Sequence, residues 1–292
     1  MMGKLDQHTK NTLKIQAETH FIKAKEIYIK VRATIIRSGI YTIKEFELLK
    51  QALHEVNLGL KIWKNHIYGI NLKGCINLDL NNTKEAKKNF EEALTINPNL
   101  NNARYNLALC LILEEGKDKE KEALSLLAKN VREKPDDFVS LYMLAKIYFK
   151  KGEYDTSKNI YERLLKMHEN YVPIYIIKEK CEEKEGNLKK ALKTIEKAIK
   201  IFPNYKNDYS VLGYALEYVP NEPELNFKKK YYKENIENFP KLIELYFLKA
   251  CILRKLGKEK RAEKTLEKIK DTLVFKKLEG NSQDSFVEDI KE

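Results

Sequence analysis

What this sequence lacks narrows its class first. Over 292 residues it has 11 glycines and 7 prolines. So few chain breakers favour long helices over many short strands and tight turns. No apolar run approaches the roughly 18 residues needed to cross a bilayer, so no transmembrane segment is expected. The opening stretch MMGKLDQHTKNTLK has no apolar core of the kind a secretion signal carries, and a cytoplasmic location is the expectation. The four cysteines, Cys75, Cys110, Cys181 and Cys251, contain no closely spaced pair of the zinc-binding kind. The five histidines form no HExxH, no GxSxG elbow occurs, and EEGKDKEKE has a single glycine before its lysine where a phosphate cradle needs more. No catalytic residue, cofactor or metal is therefore expected. Each histidine reads as a surface or capping residue and each cysteine as a small helix residue with a reduced thiol.

What is present is a folded, helix-rich composition, 43% hydrophobic and 34% charged. The net charge of +12 is uneven. Residues 226–270 carry 14 basic and 6 acidic groups, whereas the tail 271–292 carries 3 and 6. The basic segment could meet nucleic acid, an acidic protein or the chain's own tail. The tail, LEGNSQDSFVEDIKE, is polar and acidic and is expected to be disordered.

A recurring proline organises the rest. EEALTINPNL ends a helix-like stretch at Pro98, and EKAIKIFPNY does the same at Pro203. Pro135 and Pro240 close two more, and successive spacings are 37, 68 and 37 residues. Twelve residues before the first three of these prolines stands Ala86, Ala123 or Ala191, and four residues further on Phe90, Leu127 or Ile195. Between them the segment from Phe138 keeps Leu141, Leu144, Ala145 and Tyr148, then Gly152 and Tyr154, then Ser157 and Tyr161. A fixed period of this length is the mark of a repeat architecture.

This pattern resembles the tetratricopeptide repeat family, whose unit of 34 residues is a helix–turn–helix. The resemblance implies an all-α solenoid of stacked antiparallel helix pairs. Six units are expected at 67–100, 101–137, 138–171, 172–205, 206–242 and 243–270. Each turn has its own breaker: Asn81 with Asn82, Gly116, Gly152, Gly186, Pro220 with Pro223, and Gly257. Small residues such as Ala108, Ala145, Gly213 and Ala250 would let paired helices approach closely. Lys73, Lys178 and Lys249 stand where the family usually has leucine, and lysine there would carry its charge outwards. Residues 1–66 read as a long amphipathic helix, a turn near Gly39 and a degenerate second helix ending at Trp63, which is expected to pack rather than bind.

In this family the first helices line a concave groove. Carried over by position, the groove would present Tyr68 and Asn71 from the first unit, and Asn102, Tyr105, Asn106 and Leu109 from the second. Tyr142, Lys146 and Phe149 follow from the third, Ile176 from the fourth, Tyr214 from the fifth and Phe247 from the sixth. Of the residues with which relatives grip a chaperone's C-terminal carboxylate, only Asn106 is matched, so that clamp is not expected. The aromatic stripe of the first three units would suit a peptide or amphipathic helix of a partner protein. Equally, those side chains could pack on one another or beneath the N-terminal helix. The expected function is a non-catalytic protein-interaction scaffold. The alternative is an RNA-binding helical repeat using the basic residues 226–270, whose affinity would fall steeply with salt.

Overall fold

The computed structural model describes residues 6–38, 42–202 and 240–270. Residues 206–239 of the expected fifth unit, with Tyr214 and the turn at Pro220 and Pro223, and the acidic tail all lie outside these residues. Twelve helices and no strand occur among the described residues. They are α1 (Gln7–Ser38), α2 (Ile43–Ile62), α3 (Ile67–Asp79), α4 (Thr83–Ile96), α5 (Asn101–Leu113) and α6 (Lys117–Glu133). There follow α7 (Phe138–Lys150), α8 (Tyr154–Met167), α9 (Val172–Lys184), α10 (Leu188–Ile201), α11 (Pro240–Lys255) and α12 (Glu259–Leu266). Helices consecutive in the chain pack as pairs, and the fold is all-α.

The helix ends follow local chemistry. Thr42 and Glu45 form a reciprocal capping box at α2, with Thr42 N donating to Glu45 Oε2 at 3.0 Å. Asn81, Gly152, Gly186 and Gly257 take positive φ between paired helices, at 62°, 79°, 77° and 69°. That left-handed turn closes a helix with little penalty only for glycine or asparagine. Pro98 and Pro135 lie in the turns that separate one pair from the next.

The chain divides into two compact units. Among the described residues the first holds 6–141 and the second 142–202 with 240–270, so α7 contributes to both. In the first unit, helices pack in chain order from α1 to α6. Glycine makes room for a ring at three places in this unit. A Cβ added at Gly59 or Gly69 would lie 2.5 Å from the Phe21 ring, and one at Gly74 would lie 2.5 Å from the Phe90 ring. Phe21 and Phe90 are both buried, so their rings fill the room the missing side chains leave. Polar links join α5 to α6, and one of them reaches the start of α7. Wholly buried Asn130 on α6 donates to Asn101 O at 2.9 Å and pairs with Ser140 Oγ at 3.1 Å. Arg104, 2% exposed, is held by Glu133 on α6, with Nη1 to Oε1 at 2.8 Å.

In the second unit, Ser157 Oγ on α8 donates to Ala145 O on α7 at 2.8 Å. Helices α9, α10, α11 and α12 share one core built on Tyr175, Ile195, Ala198, Leu245 and Ile252. Helix α11 packs against α10 itself, and Lys249 Nζ lies 2.9 Å from Glu196 Oε1. Pro240 is the first residue of α11, three residues before the start that the repeat period sets. A proline is well placed there, because the first turn of a helix leaves its N–H groups unpaired in any case.

A candidate partner-binding surface

The first helices of the first unit carry most of the expected stripe, and the structure sorts it into two sets. Asn71 and Asn102 are 1% exposed and Asn106 is 3% exposed, so these three belong to the packing and not to the surface. Helix α3 is flanked by α1, α2, α4 and α5, and little of its circumference reaches water. Asn106 Nδ2 lies 3.4 Å from Cys75 Sγ. Tyr68 is 55% exposed. Tyr105, Leu109 and Ile112 on α5 are half-buried, and at steps of four and three they share one face of the helix. Leu113 beside them is exposed, while Ala103, Leu107, Cys110 and Leu111 are buried on the other faces.

Helix α1 bounds this surface. Arg32 Nη1 reaches Asp79 Oδ1 of α3 at 2.9 Å. Buried Tyr28 packs beside them; burial, and then the charge of Asp79, push its phenol well up. Burial raises the Tyr105 phenol to about 12, against the lowering effect of Arg32. The middle of α1 is anchored by Phe21, which stacks on His66 with ring centroids 4.2 Å apart. His66 caps α3: its Nδ1 accepts from Gly69 N at 3.0 Å, and its Nε2 lies 3.2 Å from Glu18 Oε1. An accepting Nδ1 places the proton on Nε2 in the neutral ring. Trp63 packs against His66, with Lys14 5.1 Å above its ring.

In the second unit Tyr142 meets Tyr171 edge to face at 5.9 Å, and Phe149 lies 5.4 Å from Tyr154. Lys146 is exposed. Ile176 is 6% exposed and part of the core, so it too leaves the expected surface set. Phe247 is half-buried against Ile243 and Ile269. Two lysines in leucine slots direct their charge to acidic partners: Lys178 Nζ is 2.8 Å from Glu182 Oε1 and sits 5.6 Å above the Tyr161 ring, and Lys249 meets Glu196. Among the described residues no cluster of histidine, cysteine and carboxylate side chains could hold a metal ion, and no helix is long and apolar enough to cross a membrane.

The part played by α1 is what the repeat period misses, because α1 lies outside the six units. Its signal is present in the sequence: Phe21, Ala24, Tyr28 and Val31 recur at helical spacing, opposite glycines at 59 and 69.

Comparison with known families and structures agrees with this architecture. Residues 65–173 match the cytochrome c-type biogenesis protein H TPR domain. Residues 180–205 and 243–271 match the tetratricopeptide repeat. Among solved structures, PilW, a widely conserved type IV pilus biogenesis factor, is similar over 93% of this chain and 98% of its own, with 13% identity and a TM-score of 0.58. A tetratricopeptide repeat protein from Parabacteroides merdae is similar over 97% of both chains, with 16% identity and a TM-score of 0.51. No curated protein matches.

Proposed function

We propose, from the premise that this chain belongs to the tetratricopeptide repeat family, that it is a non-catalytic scaffold whose first unit binds a peptide or helix of a partner protein. Repeats of this family are generally protein–protein interaction modules and are typically not enzymes. The observation that carries the finer reading is the face of α5. From Leu107 to Leu113 that helix is apolar on every side, which ordinarily means full burial. Yet Tyr105, Leu109, Ile112 and Leu113 all keep contact with water. The part of the Tyr105 ring that meets water offers contact area to a partner, and Tyr68 adds a second, more exposed ring.

The test begins with affinity capture from the source cells, followed by affinity measurement with the purified partner. Tyr105→Ala is expected to weaken binding about fivefold or more, which is about 1 kcal/mol. Binding should change little between low and high salt. An RNA partner gives the opposite pattern: affinity falls steeply with salt, Lys258→Glu weakens it, and Tyr105→Ala does not.

A further inference from the structure

Four first helices carry a small residue at the same step. Gly74, Ala108, Ala145 and Ala250 hold it in α3, α5, α7 and α11, and all four are buried. In α9 that step is Glu179. Its side chain is 0% exposed, and among the described residues neither carboxylate oxygen has a hydrogen-bond donor. An ionised carboxylate in that place has lost its water and gained no compensating bond, which is strongly unfavourable. One turn further on is Glu183, whose carboxylate is held by Lys255 of α11. A protonated Glu179 can donate its O–H to Glu183, whereas an ionised one meets a like charge.

Among the described residues, the other titratable groups around Glu179 include Lys180 and Cys181 on its own helix and Cys251 and Lys255 on α11. Helices α10 and α8 address the neighbouring carboxylate: Thr194 Oγ1 donates to Glu182 at 2.6 Å, and Tyr161 senses the charge of Glu182. We propose that Glu179 is a proton-operated latch between α9 and α11. With its proton it closes on Glu183 while Lys255 seats α11; after releasing the proton to solvent it loosens the joint.

Burial, reinforced by the charge of Glu183, pushes the Glu179 carboxyl up to about 8 from an ordinary 4.5. Between those values the folded chain keeps a proton that the unfolded chain has released. The joint therefore loses stability as pH rises from about 4.5 to about 8, and levels off above that.

Hydrogen exchange on the full chain, corrected for the intrinsic pH dependence of exchange, tests this. The opening constant of α9 and α11 peptides in the unmodified chain, taken relative to Glu179→Gln, should rise close to tenfold per pH unit between about 5 and about 8. Peptides of α3 to α5 serve as the control and should show a constant ratio. Glu179→Ala restores the small residue of the other units, and it should also lose the pH dependence. The latch is overturned if the unmodified chain and the folded variants share one pH profile in α9 and α11.

Discussion

In the first unit two helix joints are made by leaving atoms out: Gly59 and Gly69 admit Phe21, and Gly74 admits Phe90. In the second unit the step of α9 that matches Gly74 holds a carboxyl, buried and without a donor among the described residues. The backbone period is shared, and the chemistry at the joint is opposite. A glycine–phenylalanine joint depends on volume and responds to packing changes at any pH. A buried carboxyl depends on its proton. The titrating groups of the two units differ as well. Burial lowers His66 below the usual 6.5, opposed by Glu18, so the folded first unit resists protonating that ring. Its contribution is present above about pH 6.5 and is lost as pH falls below it. The first unit should thus weaken towards acid, and the second towards alkali.

The largest expected effect is at the volume joint. Phe21→Ala should cost the first unit about 3–5 kcal/mol, since it empties a buried ring site shared by α1, α2 and α3. Denaturant unfolding followed through Trp63, which packs beside His66, reads it. A loss below about 1 kcal/mol would show that the glycines do not close on that ring.

Smaller losses are expected from filling the joints. Gly74→Ala should cost about 1–3 kcal/mol, because the Phe90 ring must move aside for the new methyl group. Ala191→Leu, at a wholly buried site of α10, should cost the second unit a similar amount. Unchanged thermal unfolding in either variant would break the volume side of the comparison. A milder effect should come from acid. After correction for the intrinsic pH dependence of exchange, the opening constant of α3 should rise between pH 7 and pH 5.5, and His66→Asn, which still caps but does not titrate, should flatten that change.

The turns were legible in the sequence because positive φ has a chemical signature. Asn81, Gly152, Gly186 and Gly257 stand where the period requires a break. The lysines at 178 and 249 could be read as outward-reaching because a long stem permits it, and both find carboxylates. The surface was less legible. Position along a first helix says which face a residue takes, not which neighbour covers it. Asn71, Asn102 and Asn106 are polar and correctly spaced for a groove, yet they are enclosed. Glu179 was hidden for the same reason: in KEKCEEKEG it is one charge among several, and only the three-dimensional arrangement shows it in the slot where the other units have glycine or alanine.

The account stands or falls on whether the α5 face binds or merely packs. Measuring the affinity of the captured partner for the unmodified chain and for Tyr105→Ala, with thermal unfolding of both chains alongside, decides this. The account predicts binding weakened about fivefold or more, with little change in melting temperature. Normal binding combined with a clearly lowered melting temperature would contradict it, and would make the Tyr105 stripe part of the core.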